Sequence, residues 1–260
     1  MTPERSTDVL RSALRRLAAG ESLDGDTIAG AFDVIMRGEA TAAQVAALLM
    51  ALRVKGESPE EVAGVARSLR EVMVPITAAD PATLVDTCGT GGGTLSTFNI
   101  STAAAMLAAG AGVRIAKHGN RSFTSRSGSA DVLEALGVRI ETTPAVMERA
   151  LTDAGITFMF APLLHPAMRH VGIVGPLANP ARAGRQVVGV ADANRVDLIA
   201  GALALLGTTR ALVVHGAPGM DEVSPLGPTL VREVRDGSVQ TWTIDPAIAG
   251  YDGIVPEDLH

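Results

Sequence analysis

Thr83-Leu-Val-Asp-Thr-Cys-Gly-Thr-Gly-Gly-Gly93, continued by Thr97-Phe-Asn-Ile-Ser-Thr-Ala-Ala-Ala-Met-Leu-Ala-Ala109, runs from a β-branched stretch through a glycine cluster into an apolar helical stretch. That succession reads as strand, loop, helix. The same grammar recurs to the C-terminal side. Thr83 to Val85, Val113 to Ile115, Gln186 to Val190 and Arg210 to Val214 read as strands, and Thr102 to Ala109, Ser129 to Leu136, Pro144 to Ala154 and Asp197 to Leu206 read as helices. Such alternation predicts βα units around a mostly parallel sheet flanked by helices. Thr229 to Arg235 and Val239 to Thr243, either side of Asp236-Gly237-Ser238, predict a terminal hairpin.

To the N-terminal side the signals are helical. Thr41-Ala-Ala-Gln44 is a capping box, Gly56 is a C-terminal stop, and Ser58-Pro59-Glu60-Glu61 opens the next helix. With helices near Val9 to Ala18 and Thr27 to Arg37, about four helices are expected before Pro75. The fold class is therefore α/β. A small all-helical domain over 1–75, with part of 162–180 a candidate to join it, precedes a larger domain over 76–260, and Ile76 to Ala82 is the candidate hinge.

Composition narrows the function. The 260 residues are 47% hydrophobic, enough for a sizeable core, and the net charge of −6 with 3% aromatics opposes nucleic-acid binding. A single cysteine, Cys88, excludes an internal disulfide and fits a reducing compartment. No run approaches the roughly 18 apolar residues of a membrane helix, and Met1 to Leu17 lacks a signal-peptide pattern. The expectation is a soluble, cytoplasmic protein with no membrane or nucleic-acid partner.

Charge then locates a site. From Thr87 to Ala130 there is no Asp or Glu, where about five would be expected from the chain's average, yet the window holds Arg114, Lys117, Arg121 and Arg126. A basic island on loops between strand and helix suits an anion. Glycines at 89, 91, 92 and 93 let backbone N–H groups approach phosphate, and the following helix adds its positive end. Neither a Walker loop nor a dinucleotide fingerprint is present, and a glycine cluster alone equally serves a tight turn. Lys117 opens a 13-residue polar stretch, Lys117 to Ser129, read as a loop, in a chain with only one other lysine, Lys55. His118 alone reads as a structural histidine. Asp221-Glu222, after the strand ending at Val214, suits Mg²⁺ beside a phosphate site, or else a solvated acidic turn.

Taken in order, Gly89-Thr-Gly-Gly92, Thr97-Phe-Asn-Ile-Ser-Thr102, Lys117-His-Gly-Asn-Arg121, Gly128-Ser-Ala-Asp-Val-Leu-Glu-Ala-Leu-Gly137, His165-Pro-Ala-Met168, Gly175-Pro-Leu-Ala-Asn-Pro180 and Asp221-Glu222 resemble the anthranilate phosphoribosyltransferases. The resemblance implies a small α domain hinged to an α/β domain, a homodimer, and transfer of phosphoribose from 5-phosphoribosyl diphosphate to anthranilate in tryptophan synthesis. Matched residue by residue, it implies donor binding by Gly89, Gly92, Gly93, Thr97, Asn99, Ile100, Ser101, Thr102, Lys117, His118, Gly119, Asn120, Arg121, Ser122, Phe123, Thr124, Ser125 and Ser129. It implies Mg²⁺ at Ser101, Asp221 and Glu222, and anthranilate against Gly89, His118 and Asn120. No covalent nucleophile is implied.

The chain departs from the family pattern in three places. Gly93 stands where the family usually has Asp. His165 to Val171 runs through Gly172-Ile-Val174 directly into Gly175-Pro-Leu177, without the helical stretch and its anthranilate-contacting arginine. The sequence ends at His260, where relatives continue. Donor binding is expected to survive these changes better than acceptor binding. A pyrimidine nucleoside phosphorylase, or a donor-binding chain with little or no catalysis, are the alternative readings.

Overall fold

The computed structural model describes residues 3–91, 97–122, 127–165, 172–251 and 254–255. Four helices come first, α1 (Pro3–Ala18), α2 (Gly25–Met36), α3 (Ala42–Lys55) and α4 (Pro59–Val72). Both capping boxes form as read: Thr41 and Gln44 at the start of α3, Ser58 and Glu61 at the start of α4, each worth about 1 kcal/mol. Glu61 does more than cap. Its buried carboxylate also accepts from the Leu23 backbone at 2.9 Å and pairs with Lys55 at 2.9 Å, tying three helices together at one charge.

The α/β part follows in the order β1 (Val85–Gly89), α5 (Ile100–Gly110), β2 (Ile115–Gly119), α6 (Ser129–Ala135), α7 (Pro144–Asp153), β3 (Ile156–Phe160), α8 (Ala161–Leu164), β4 (Arg185–Gly189), α9 (Val196–Leu205), β5 (Arg210–Gly216), β6 (Thr229–Arg235) and β7 (Ser238–Ile244). The strands form one sheet in the order β3-β2-β1-β4-β5-β6-β7; β1 to β5 are parallel, and β6 and β7 add an antiparallel edge. Chain direction across the sheet reverses between β1 and β4. Their carboxyl ends therefore open a crevice at a topological switch point, where ligands of open α/β sheets bind.

Four sequence expectations shift. Thr83 closes a short 3₁₀ turn behind Pro81, so β1 begins two residues later and runs out to Gly89. Likewise β2 starts at Ile115 and extends to Gly119, because pairing with β3 continues through Gly119 and Phe160. Lys117, His118 and Gly119 are thus strand residues, not the start of a loop. The edge strand β3 was not anticipated, although Ile-Thr-Phe-Met-Phe after Gly155 carries the right residue types. Finally, Ile76 in the expected hinge is buried, its N–H donating to Pro180 O, while Thr77 N–H donates to the Glu148 carboxylate. The first half of that segment is stapled to the α/β part.

Helix α4 joins the two parts. Nearly all of its residues from Glu61 to Leu69 are buried, because it lies between α2 and α9. Gly64 permits the approach to α2, since a methyl there would run into Gly25 O and the Ile28 side chain. Leu10, Phe32, Leu48 and Leu69 of the bundle share one hydrophobic core with Leu177, Ala178, Val188, Ile199 and Val213. Each such large side chain contributes roughly 1.5–3 kcal/mol on burial. The residues 172–177 form a 3₁₀ turn against α4, where Arg70 Nε donates to Leu177 O at 2.9 Å. The preceding residues of the shortened connection, 166–171, lie outside the described residues. No described helix is long and apolar enough to cross a membrane.

Candidate active site

Gly89 ends β1 and Gly189 ends β4, paired side by side at the mouth of the crevice. Neither can carry a side chain without moving the loop that crosses above them. A methyl on Gly89 would stand 2.7 Å from Asp221 Oδ2, and one on Gly189 would overlap the Asp221 carbonyl oxygen. The two glycines thereby seat Asp221 directly over the strand ends. Asp221 Oδ2 accepts from Gly91 N–H at 3.0 Å, and Thr90 N–H donates to Gly189 O at 2.9 Å.

Three more groups converge on this point. Lys117 enters from β2 and is buried; its Nζ donates to Thr87 O and, at 3.2 Å, to Ser101 Oγ. Burial holds the Lys117 ammonium below its usual value, partly offset by the negative Asp86 and Glu222. Glu222 receives the Ser101 backbone N–H, and burial together with the neighbouring Asp221 charge pushes its carboxyl up to about 7, against a smaller opposing effect of Lys117. Ser101 is in the first turn of α5, and the buried Thr102 Oγ1 next to it has no partner among the described residues. Hard oxygen donors from Ser101, Asp221 and Glu222 lie beside one buried ammonium and a helix N-terminus. Such a donor set fits Mg²⁺ held by few protein ligands plus ligand oxygens and water.

The opposite wall is made of two imidazoles. The His118 and His165 rings lie 4.9 Å apart, tilted by 60°, and the Nε2 of each is buried without a partner among the described residues. Burial pushes His118 down to about 3, helped by His165 and Lys117, and His165 to about 4. Both rings are neutral at pH 7, each with one nitrogen open to a hydrogen bond. Their protonation favours the unfolded chain, so the stability they confer is complete above about pH 6.5 and is lost as pH falls toward these values.

Other expected site residues are placed as follows. Asn99 Nδ2 donates to Ser127 at 3.1 Å, linking the two loops above the sheet, and Thr97 and Ile100 flank it at the start of α5. Asn120 turns its Oδ1 to the Arg121 N–H, and Ser129 Oγ donates to Asn120 O. Gly119 gives Ser129 and Phe158 the space a methyl would fill. Arg121 does not bring its charge to the crevice: its guanidinium pairs with Asp131 and Glu134 on α6 and lies 5.6 Å from the Phe160 ring centroid. Asp131 Oδ2 also accepts from Ser122 N–H and Gly128 N–H. The acid-free window of the sequence is therefore not acid-free in space, because α6 supplies carboxylates just beyond its end. Gly92, Gly93, Phe123, Thr124, Ser125 and Arg126 lie outside the described residues.

Asp86, Thr87, His165, Asn179 and Gly189 were not picked out as site residues by sequence reasoning. Only Gly189 had a readable signal, a glycine ending a second strand as Gly89 ends the first.

Comparison with known proteins agrees with this geometry. Residues 11–73 match the helical bundle domain of a glycosyl transferase family, and residues 81–260 match that family's a/b domain. Among curated relatives, the anthranilate phosphoribosyltransferase of Rubrobacter xylanophilus is 51% identical, with 97% of this chain and 78% of the relative aligned. That of Thermomicrobium roseum is 48% identical over 96% of this chain and 76% of the relative. Among solved structures, the Thermus thermophilus anthranilate phosphoribosyltransferase superposes with a TM-score of 0.87 at 40% identity, covering 95% of this chain and 77% of that one. The Saccharomyces cerevisiae enzyme in complex with PRPP and Mg gives 0.84 at 27% identity, over 96% and 76%. The chain thus spans about three quarters of the length of these relatives. On fold, sequence and site together, it belongs to the anthranilate phosphoribosyltransferase family of glycosyl transferases.

Proposed function

We propose how this chain carries out anthranilate phosphoribosyl transfer, its family's reaction in tryptophan biosynthesis. The donor, 5-phosphoribosyl diphosphate, lies across the crevice with its diphosphate toward Lys117, the N-terminus of α5 and the Gly89 to Gly93 loop. The observation that carries this reading is the convergence of Lys117, Ser101, Asp221 and Glu222 on the end of β1 at the switch point. Anthranilate sits on the His118 and His165 side. Its amine nitrogen forms a bond to C1 of the ribose as the C1–O bond to diphosphate breaks and the electron pair leaves with diphosphate; the amine then gives up a proton.

Lys117 and the backbone N–H groups stabilise the charge that develops on the departing oxygen. Mg²⁺, when bound, neutralises diphosphate charge from the Ser101, Asp221 and Glu222 side. The neutral imidazoles hold the acceptor without adding a competing cation. Loss of anthranilate fluorescence on mixing with donor and MgCl₂ tests the assignment. Turnover of a pyrimidine nucleoside with phosphate, and none of anthranilate, would reverse it.

Calorimetric titration with the donor resolves the parts. Lys117→Ala is expected to weaken donor binding about tenfold or more, since a charge-assisted contact contributes about 1.5–3 kcal/mol. Equal affinity would remove Lys117 from the site. Asp221→Asn with Glu222→Gln should remove the Mg²⁺ dependence of donor binding and leave the fold intact. A pH series adds a sign. Because Glu222 is raised to about 7, its charge is missing below that pH, so Mg²⁺-dependent affinity should climb up to about pH 7 and then level. The same raised value makes metal-free stability fall as pH rises from about 4.5 to about 7. A flat profile in the parent chain would exclude Glu222 from metal binding.

The homodimer implied by the family is part of the proposal. Helix α3 leaves Met50 and Val54, one turn apart, 59% and 80% exposed, an apolar strip that suits burial against a second copy. Sedimentation at micromolar concentration should give twice the chain mass; a monomer would sink this part.

A further inference from the structure

Asp86 takes no part in the chemistry above, yet it is a carboxylate fully buried in the middle of β1. Removing such a charge from water costs several kcal/mol unless strong donors surround it. Two do so. One oxygen accepts the His118 backbone N–H at 3.0 Å, and the other accepts Asn179 Nδ2 at 2.7 Å. Asn179 is itself buried, donates to Ala116 O at 2.9 Å and accepts from Ala181 N–H at 2.9 Å, which fixes the turn that follows Leu177. Ala178, the residue before Asn179, is the backbone hydrogen-bond partner of the His165 ring.

Both imidazoles of the acceptor wall are therefore tied to one carboxylate, His118 through its own amide and His165 through residues 178 and 179. Resting on the acceptor reading above, we propose that Asp86 is a positioning residue that sets the spacing of the His118 and His165 rings and hence the seat of the aromatic acceptor. The chemistry requires a carboxylate. Both partners are donors, so asparagine at 86 would turn an NH₂ against either His118 N–H or Asn179 Nδ2. Asp86 also lies within electrostatic range of Lys117, which offers it a different use as a counter-charge for donor binding. The two uses separate by substrate.

The test compares the full chain, Asp86→Asn, and the swap Asp86→Asn with Asn179→Asp, each with saturating donor and MgCl₂. The swap keeps residue 86 as acceptor for His118 and restores a donor–acceptor pair between 86 and 179, giving up only the bond to Ala116 O. In D86N the KM for anthranilate should rise tenfold or more with donor Kd within threefold, and the nitrogen-correlated ring resonances of both histidines should move. The swap should return the anthranilate KM to within threefold. An unchanged anthranilate KM and unmoved ring resonances in D86N, even with a lower melting temperature, would reduce Asp86 to a structural group. A donor-specific loss would make it the counter-charge of Lys117. If D86N yields no folded protein, the swap decides: parent-like anthranilate KM supports the assignment, and a tenfold rise overturns it. A parent chain without any transfer would defeat the function proposed above, while the ring resonances would still decide the role of Asp86.

Discussion

Gly189→Ala is expected to abolish Mg²⁺-dependent donor binding, by a hundredfold or more, in a protein that remains folded. The added methyl cannot fit beneath the Asp221 carbonyl, and that neighbour is backbone, so relief requires lifting the whole loop that holds Asp221 and Glu222. Overpacking of this kind costs about 1–3 kcal/mol, and the loop can avoid that cost by leaving the crevice, taking both carboxylates with it. Gly89→Ala should be milder, because the atom it meets is the end of a side chain that can rotate. Calorimetry with and without MgCl₂, alongside far-ultraviolet circular dichroism, reads both. Full Mg²⁺-dependent affinity in G189A would show that the loop position is immaterial to the donor.

The second large effect concerns the acceptor. Placing between Gly172 and Gly175 the helical stretch that family members carry, with its arginine, should lower the anthranilate KM by about ten- to a hundredfold and leave donor affinity alone, the worth of one charged hydrogen bond. The described residues offer little in its place. Arg70 reaches the 172–177 turn, but its Nε is committed to Leu177 O, and burial with the nearby Arg182 already disfavours its charge. Arg121 is engaged by α6. Identical anthranilate kinetics with and without the stretch would mean that His118 and His165 hold the acceptor unaided.

What could be read in advance follows the range of the forces involved. Helix starts at Thr41 and Ser58 are settled within four residues by their own side chains, so both were legible. Gly89, Lys117 and Asp221-Glu222 were legible as members of an anion site, because glycine and isolated charge are marked in sequence. The extent of β2 was not. Lys117 and His118 look like loop residues, and only pairing to β3 and burial against Thr87 and Ser101 make them interior strand residues. Asp86 and Asn179 stand 93 positions apart, and no local pattern announces a bond between them. Arg121 was misjudged as a free cation because its partners begin one residue past the window in which acids were counted.

The bond from Asp221 to the Gly91 amide joins residues 130 positions apart, and the other groups of the crevice come from β1, α5 and β2. No fragment of the chain holds this set together, so donor and metal have affinity for the native state alone. Ligand binding and global stability are then linked by mass action: donor at a hundred times its dissociation constant adds about 2.7 kcal/mol to the free energy of unfolding. In a cell, the half-life of this chain against proteolysis would accordingly follow its supply of phosphoribosyl donor.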